Sequence, residues 1–356
     1  MKFGLFCSPF NTAYKDGRRT NRQVIDWDLQ LARWGDQYGQ SEIWFAEHHT
    51  VGMEPSPAPE LLIAAASQLT SRIKLCAGAH LLAYHNPIAL AHRMIMLDHM
   101  TGGRYIAGIA PGAFPTDAHY FCTGRNNNEM MLEAIGIVKA VLTNYEPWEI
   151  KGKYWSASRP PFDATIGGPH LKPLTKPHPP FAMTGMQPIS PTLTLAGSNG
   201  FLPISQQVNT ATFLKHWEVY TKAAEAAGHV ADRSGWRVIR DFFVADTDEE
   251  ARDICINGPA SDAWAKFLIP AYRALNLLGL IGGDQMDPAD VTMEWMADNF
   301  WLVGSPKTVA EKVRALDAEL GGVGTILAFT YDFSETPDVY EKSLRLMHEQ
   351  VMPLVG

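Results

Sequence analysis

Met1-Lys2-Phe3-Gly4-Leu5-Phe6-Cys7-Ser8-Pro9-Phe10 is a short apolar run that ends in a turn without a glycine fingerprint. An open, doubly wound nucleotide-binding sheet carries G-x-G-x-x-G at this place, so the first turn already argues against that architecture. Counting outward from it decides the alternative. Gln23–Tyr38 carries Val24, Trp27, Leu31, Trp34 and Tyr38 at helical spacing, and Glu42–Ala46 reads as a second strand. Helix Glu60–Leu69 and strand Ile73–Gly78 come next. Pro87 opens a helix where its missing N–H costs nothing. That helix runs to Met100, and Thr101-Gly102-Gly103 closes it before strand Tyr105–Ile109. After a helix over Asn128–Leu142, seven of the 24 prolines fall between Pro160 and Pro180, which marks an irregular insertion with one hairpin near Trp148–Trp155. Alternation resumes with Phe181–Thr184, Pro191–Ser198, Phe201–Ile204, Thr212–Ala226, Trp236–Val244 and Asp248–Ile254. It closes with Lys307–Leu320, Thr325–Phe329 and Thr336–Val351. Eight strands, each followed by a helix, predict an α/β fold of the (β/α)8 TIM-barrel class as a single domain over 1–356, with two irregular insertions at 147–180 and 257–301.

The 356 residues are 46% hydrophobic and 19% charged, which excludes disorder as the dominant state. With 30 Lys plus Arg against 38 Asp plus Glu the net charge is −8, so no nucleic acid is expected as a partner. Cys7, Cys76, Cys122 and Cys255 are scattered singly, which fits a reducing cytosol and argues against structural zinc. The longest apolar stretch, Leu268 to Ile281, is broken by Pro270, Tyr272, Arg273 and Asn276. The N-terminus lacks the pattern of a signal peptide. A cytoplasmic protein without membrane contact is expected.

In a barrel the chemistry lies at the C-terminal ends of the strands. Glu47-His48-His49 directly follows the second strand and is the sharpest local feature. Its three side chains could act in proton transfer, or one imidazole could cap the turn while the other is solvated. A metal site would gather more histidines from other strand ends, and only His80 is comparably placed, so no metal is expected. Gly78-Ala79-His80 ends the third strand with small residues that would let a flat ring approach the backbone, or would form a bulge with no ligand. Ser190 caps a helix whose first position is Pro191, with Thr192 next. The free N–H groups and dipole there suit a phosphate, and ordinary capping explains the same residues.

Ala46-Glu47-His48-His49, His85-Asn86-Pro87, Leu97-Asp98, Gly102-Gly103-Arg104 and Gly304-Ser305-Pro306 together resemble the bacterial luciferase-like flavin monooxygenases over nearly the whole chain. The likeness is nearer to the terpene-oxygenating branch of the limonene monooxygenase type than to the light-emitting enzymes, because Ala110-Pro111 stands where those carry Cys and Arg. The resemblance implies a barrel that takes reduced FMN from a separate NAD(P)H:flavin reductase. With O2 as co-substrate, a flavin C4a-peroxide would oxygenate a small apolar terpene-, ketone- or aldehyde-like compound. It implies His48 as the active-site histidine, with His49 and Glu47 in support. It places Gly78 and Ala79 beside the isoalloxazine, through a non-proline cis peptide, and Ser190 and Thr192 at the phosphate; Ala110, Gly185 and Met186, at other strand ends, are further expected cofactor contacts. The insertions would be lids that line the substrate pocket with Phe162, Leu268 and Phe300, joined by Phe114. A homodimer paired through the second and third helices, with Met94, Met96 and Leu97 as its apolar surface, is expected. Alternatives are a deazaflavin (F420)-dependent oxidoreductase and a non-catalytic flavin-binding barrel.

Overall fold

The computed structural model describes residues 1–8, 10–283 and 286–355; Pro9 of the first turn and three other residues (284, 285 and 356) lie outside the described residues. In chain order the strands are β1 (Lys2–Cys7), β2 (Glu42–Phe45), β3 (Lys74–Leu81), β4 (Tyr105–Ala110), β5 (Trp148–Lys151), β6 (Ser156–Arg159), β7 (Phe181–Gly185), β8 (Leu202–Ser205), β9 (Arg237–Val244), β10 (Leu302–Gly304) and β11 (Thr325–Phe329). Hydrogen bonding runs β9-β11-β1-β2-β3-β4-β7-β8, and β8 pairs back onto β9. The pairings are parallel throughout, so the expected closed (β/α)8 barrel is the fold.

Three local departures have physical causes. Strand β3 continues past Gly78 to Leu81, because a register shift between Ala77 and His80 lets it resume pairing with β4. β10 adds a ninth strand outside the barrel on Phe242–Val244, and its three residues are too few to show a period. The hairpin is real but longer than expected: β5 and β6 pair antiparallel from Trp148↔Arg159 to Lys151↔Ser156.

Trp44 fills the barrel interior and is fully buried. Gly108 makes that possible, since a Cβ there would lie 2.0 Å from the Ala77 carbonyl and 3.1 Å from the Trp44 ring. Beneath it Arg237 donates to both oxygens of Glu42 at 2.9 and 3.0 Å, and Trp44 Nε1 donates to the same carboxylate at 2.9 Å. This satisfied ion pair closes the end of the barrel opposite the strand C-termini. At the mouth the layer is aromatic: Phe329 packs against Phe6 and Phe10, and Phe10 against Phe267 of the second insertion.

The expected dimer surface needs correction. Met94 and Leu97 belong to the core, at 0% and 3% exposure, because the helix Pro87–Met100 turns that face onto the barrel; Met96, at 54%, is the one that faces out. No described helix is long and apolar enough to cross a membrane.

Candidate active site

The loop after β2 is tied down by its own backbone. Ala46 N donates to Cys7 O, Ser56 Oγ to Ala46 O at 2.8 Å, and His48 N to Ser56 O at 2.9 Å. The chain therefore doubles back between Ala46 and Ser56, and the Glu47-His48-His49 side chains leave a fixed base.

Glu47 is buried and receives three N–H donors. Its Oε1 accepts from His49 Nε2 at 2.9 Å and from His85 Nε2 at 3.0 Å, and its Oε2 accepts from Leu81 N at 3.1 Å. Arg93, always a donor, gives a hydrogen to His85 Nδ1 at 3.0 Å, which fixes His85 as the Nε2–H tautomer. Burial pushes the Glu47 carboxyl up, yet the hydrogen bonds from His49 and His85 and the neighbouring imidazoles outweigh it and hold the group down at about 2. His80, fully buried, pairs through Nε2 with Tyr105 Oη at 2.6 Å, and burial pushes its imidazole down to about 3. Its Nδ1 has no partner and lies 3.9 Å from Glu60 Oε2. Glu47, His80 and His85 each bring one ligand-type atom within 4.8 Å of the others. A cation between them would meet an N–H at His85 and a carboxylate already spent on donors, so the set as arranged is a hydrogen-bonded cluster.

His48 turns elsewhere. Its Nε2 lies 3.2 Å from Oε2 of Glu54, a fully buried carboxyl that also accepts a hydrogen bond from Ser8 Oγ. His48 Nδ1 is buried with no partner among the described residues, and Phe114 packs edge-on against the ring at 5.3 Å. His49 is instead boxed by Phe121 at 4.6 Å and by Tyr84 at 5.8 Å. The two adjacent imidazoles therefore serve different carboxylates, and the one whose free nitrogen is buried is His48.

The far rim carries a third buried carboxylate. Asp241 on β9 accepts from Gln207 Nε2 at 2.8 Å, Trp264 Nε1 at 2.9 Å and the Tyr331 hydroxyl. Trp264 belongs to the second insertion, so this carboxylate pins that segment over the mouth. Phe300 of the same insertion is buried against Trp264 and the Arg240 guanidinium, 4.8 Å from its ring, and Leu268 is buried as well. Phe162 of the first insertion is 64% exposed.

Of the positions expected to face a flat ring, Gly78 and Ala79 lie inside β3 rather than at its end, because the strand runs on to Leu81. The Gly78–Ala79 peptide is cis, and a Cβ on Gly78 would meet the Phe6 ring and Trp44 Cβ at 3.1 Å. Ala110 ends β4; Gly185 ends β7, with Met186 half-buried beyond it. Ser190 Oγ caps the helix Pro191–Asn199 through Leu193 N at 3.3 Å. Thr192 Oγ1 donates to Thr184 O at 2.7 Å and lies 2.8 Å from Ser190 Oγ. Thr192's hydrogen is thus on a carbonyl and Ser190's goes to Thr192, so both hydroxyls are internally engaged.

Several motif residues lie away from this mouth. Arg104 donates to the carbonyls of Ile73 and Thr70 at 2.7 and 3.2 Å, stapling the chain ahead of β3. Asp98 accepts from Thr175 N and Oγ1, both at 2.7 Å, and Ser305 caps the helix Pro306–Leu320. The reading of the sequence missed Glu54, Asp241 and any role for His85. The available signals were a charged pair, Arg240-Asp241, inside an apolar strand and a second glutamate seven residues after Glu47.

A parallel barrel with buried acid–imidazole clusters at its strand C-termini is the scaffold of an enzyme. This chain belongs to the luciferase-like monooxygenase family, whose model matches residues 1–323. It is 35% identical to the 3,6-diketocamphane 1,6-monooxygenase of Pseudomonas putida, over 100% of this chain and 98% of that protein. It is 28% identical to the limonene 1,2-monooxygenase of Rhodococcus erythropolis, over 99% of this chain and 86% of that one. Among solved structures, the oxygenating constituent of P. putida 3,6-diketocamphane monooxygenase, a type II Baeyer-Villiger monooxygenase in complex with FMN, superposes with a TM-score of 0.94. That alignment is 34% identical and covers 100% of this chain and 99% of that one.

Proposed function

We propose that this chain is the oxygenase component of a two-component, FMN-dependent monooxygenase that oxygenates an alicyclic, terpene-like ketone. The observation that carries this reading is the end-to-end likeness, at a TM-score of 0.94, to an FMN-bound Baeyer-Villiger oxygenating constituent. Bound reduced FMN supplies two electrons to O2, so that one oxygen atom enters the substrate and the other leaves as water. Our chain's residues fit that group in one respect above all: Gly78 has no Cβ, which would crowd Phe6 and Trp44 at 3.1 Å, and those side chains are apolar. Gly78, Ala79, Ala110, Gly185 and Met186 would border the ring, and Ser190 and Thr192 would meet the phosphate by exchanging their internal hydrogen bonds.

The protein's tasks are to exclude water and to manage a proton. Phe10, Phe267 and Phe329 present an apolar layer at the mouth, and the Trp264–Asp241 bond holds the second insertion over it. His48 would accept or donate the proton at Nδ1, the ring nitrogen without a partner. Glu47, held in place by the N–H of His49, would act as a fixed negative support. Reduced FMN would come from an NAD(P)H:flavin reductase in the cytoplasm, where the free cysteines stay reduced. A homodimer would use Leu61, Met96 and Met100, exposed at 69%, 54% and 40%; a monomer mass in sedimentation at micromolar protein would remove it.

The test incubates the chain with FMN, a flavin reductase, NADH, O2 and a bicyclic camphane diketone. A lactone heavier by one oxygen is expected. If the ketone returns unchanged and all reduced FMN yields hydrogen peroxide, the reading fails. Ketone reduction supported by a deazaflavin instead would favour the hydride-transfer alternative.

A further inference from the structure

Glu54 is the least explained charge at the mouth. It is 1% exposed, it sits in a loop rather than on a strand, and its Oε2 has no aligned hydrogen bond although His48 Nε2 is only 3.2 Å away. Its other oxygen is claimed by Ser8 Oγ at the end of β1. A buried carboxyl left half-satisfied costs stability and calls for a function or a missing partner. On the opposite side of the same imidazole, His48 Nδ1 is also buried without a partner. Two orphaned atoms, one behind the ring and one in front of it, mark a line through His48. Active-site hydrogen bonds are often loose until the ligand is bound, and 3.2 Å is closed by a small rotation of the ring.

We propose that Glu54, anchored by Ser8, is the positioning residue for His48: it holds the imidazole as the Nε2–H tautomer, so that Nδ1 is the lone-pair nitrogen offered to the reacting groups. This rests on the oxygenase reading only for what Nδ1 then does. An ionised carboxylate is acceptor-only, so it can face Nε2 solely when that nitrogen carries the hydrogen. Ser8 spends its own hydrogen on the carboxylate and leaves Oε2 for the ring. Burial, with a smaller push from the charge of Asp117, leaves the Glu54 carboxyl above the ordinary range despite the pull of His48 and Ser8, so the aim on Nε2 belongs to its ionised form, and Phe114 adds an apolar wall without charge. His49 is fixed too, but its Nε2 hydrogen goes to Glu47, a carboxylate that already has two further donors. The adjacent pair is thereby divided: one histidine belongs to a closed cluster and one is aimed by a dedicated acid.

The test reads the tautomer directly, in chain labelled with 15N-histidine and free of flavin, and then reads the partition of reduced FMN between oxygenated product and hydrogen peroxide. In the wild type His48 should show a protonated Nε2 and a bare Nδ1. In Glu54→Gln the amide can accept from the ring or donate to it, so the His48 signals should become a mixture and the product-to-peroxide ratio should fall at least ten-fold, with FMN affinity unchanged. Ser8→Ala, which keeps the carboxylate, should move both readouts in the same direction by less, and it serves as the test should Glu54→Gln not fold. Adding Glu54→Gln to His48→Ala should cost nothing more, since Glu54 acts through that ring. A wild-type tautomer retained in both Glu54→Gln and Ser8→Ala overturns the proposal, as does a Glu54→Gln loss that persists in full on the His48→Ala background. If the tautomer responds to Glu54 while the wild type makes no oxygenated product, the positioning role stands and the oxygenase reading falls.

Discussion

Two rims of one barrel mouth each bury a carboxylate, and each carboxylate takes three donors, yet burial wins at one and loses at the other. Glu47, on the β2–β3 side, is held down at about 2. Asp241, on the β9–β11 side, is raised, because burial exceeds the help of the hydrogen bonds from Tyr331, Trp264 and Gln207. The bond counts match, so the count does not decide it. The three donors to Asp241 are neutral and its cationic neighbour Arg240 offsets only part of the burial, whereas at Glu47 the hydrogen bonds from His49 and His85 and the nearby imidazoles together outweigh it. The difference points to a division of labour: the histidine-rich rim offers groups that can move a proton, and the rim whose donors are neutral holds the insertion in place.

The largest effect expected from that division separates His48 from His49. His48→Ala should reduce product formation by roughly 10²- to 10⁴-fold and divert reduced FMN to hydrogen peroxide at nearly unchanged stability. His49→Ala, which removes one donor from Glu47, should lower stability by about 1–2 kcal/mol and leave the product-to-peroxide ratio near the wild-type value. Equal ratios in the two variants, measured at equal folded protein, would erase the distinction between the imidazoles.

On the neutral rim the effect should be structural. Asp241→Ala leaves Gln207 and the Tyr331 hydroxyl without their acceptor in the interior, while Trp264 keeps only its bond to Tyr331, and a loss of about 3 kcal/mol is expected in urea unfolding. Trp264→Phe keeps the ring and removes one donor, so a smaller loss, about 1 kcal/mol, should accompany it. If Asp241→Ala unfolds like the wild type, Asp241 does not pin the insertion.

The pH dependence of stability sharpens the comparison further. The His80 imidazole lies at about 3 when folded against an ordinary 6.5, so as pH falls below 6.5 the unfolded chain binds a proton that the folded chain refuses. Stability is therefore lost through the window from 6.5 to 3. Glu47 acts in the same sense lower down: its depressed carboxyl contributes stability above about 4.5 that disappears as pH falls toward 2. Asp241, being raised, has the opposite sign and favours the folded state below its folded value. His80→Asn should flatten the slope between pH 6.5 and 4.5 by about 1 kcal/mol per pH unit, measured by urea midpoints. An unchanged slope would place the responsible proton elsewhere.

The barrel was legible because its signal is repeated: eight apolar runs with helices between them survive errors of a residue or two at each end. The place of Glu47-His48-His49 at the barrel mouth was legible because the segment directly follows a strand. What stayed hidden was partnership. Nothing in Glu47-His48-His49 says that the first histidine will swing to Glu54 and the second to Glu47, since that choice depends on Ser56 pinning the His48 backbone and on Phe121 boxing His49. Met94 and Leu97 were misplaced for a related reason: the helix Pro87–Met100 is apolar on more than one face, so its pattern alone does not say which face meets the barrel. Asp241 was concealed inside a strand whose eight residues are all buried.

The smallest effect concerns the helix Pro191–Asn199, and it asks whether the mouth has a third organised edge. Free hydroxyls on a phosphate would each contribute about 1.5–3 kcal/mol as charge-assisted bonds. Ser190 and Thr192 are not free: Thr192 gives its hydrogen to Thr184 O, and Ser190 accepts from Leu193 N while bonding Thr192. Turning either toward a phosphate exchanges one hydrogen bond for another, so only the surplus of a charged acceptor over a neutral one remains. Thr192→Ala should therefore weaken FMN binding by about 1 kcal/mol, roughly five-fold, in equilibrium titration. Ser190→Ala should lower stability by a similar amount, through loss of the cap. A hundred-fold loss of affinity in Thr192→Ala would mean that the hydroxyl abandons Thr184 entirely when the phosphate arrives, and that this edge is rebuilt by its ligand; no loss at all would move the phosphate to another strand end.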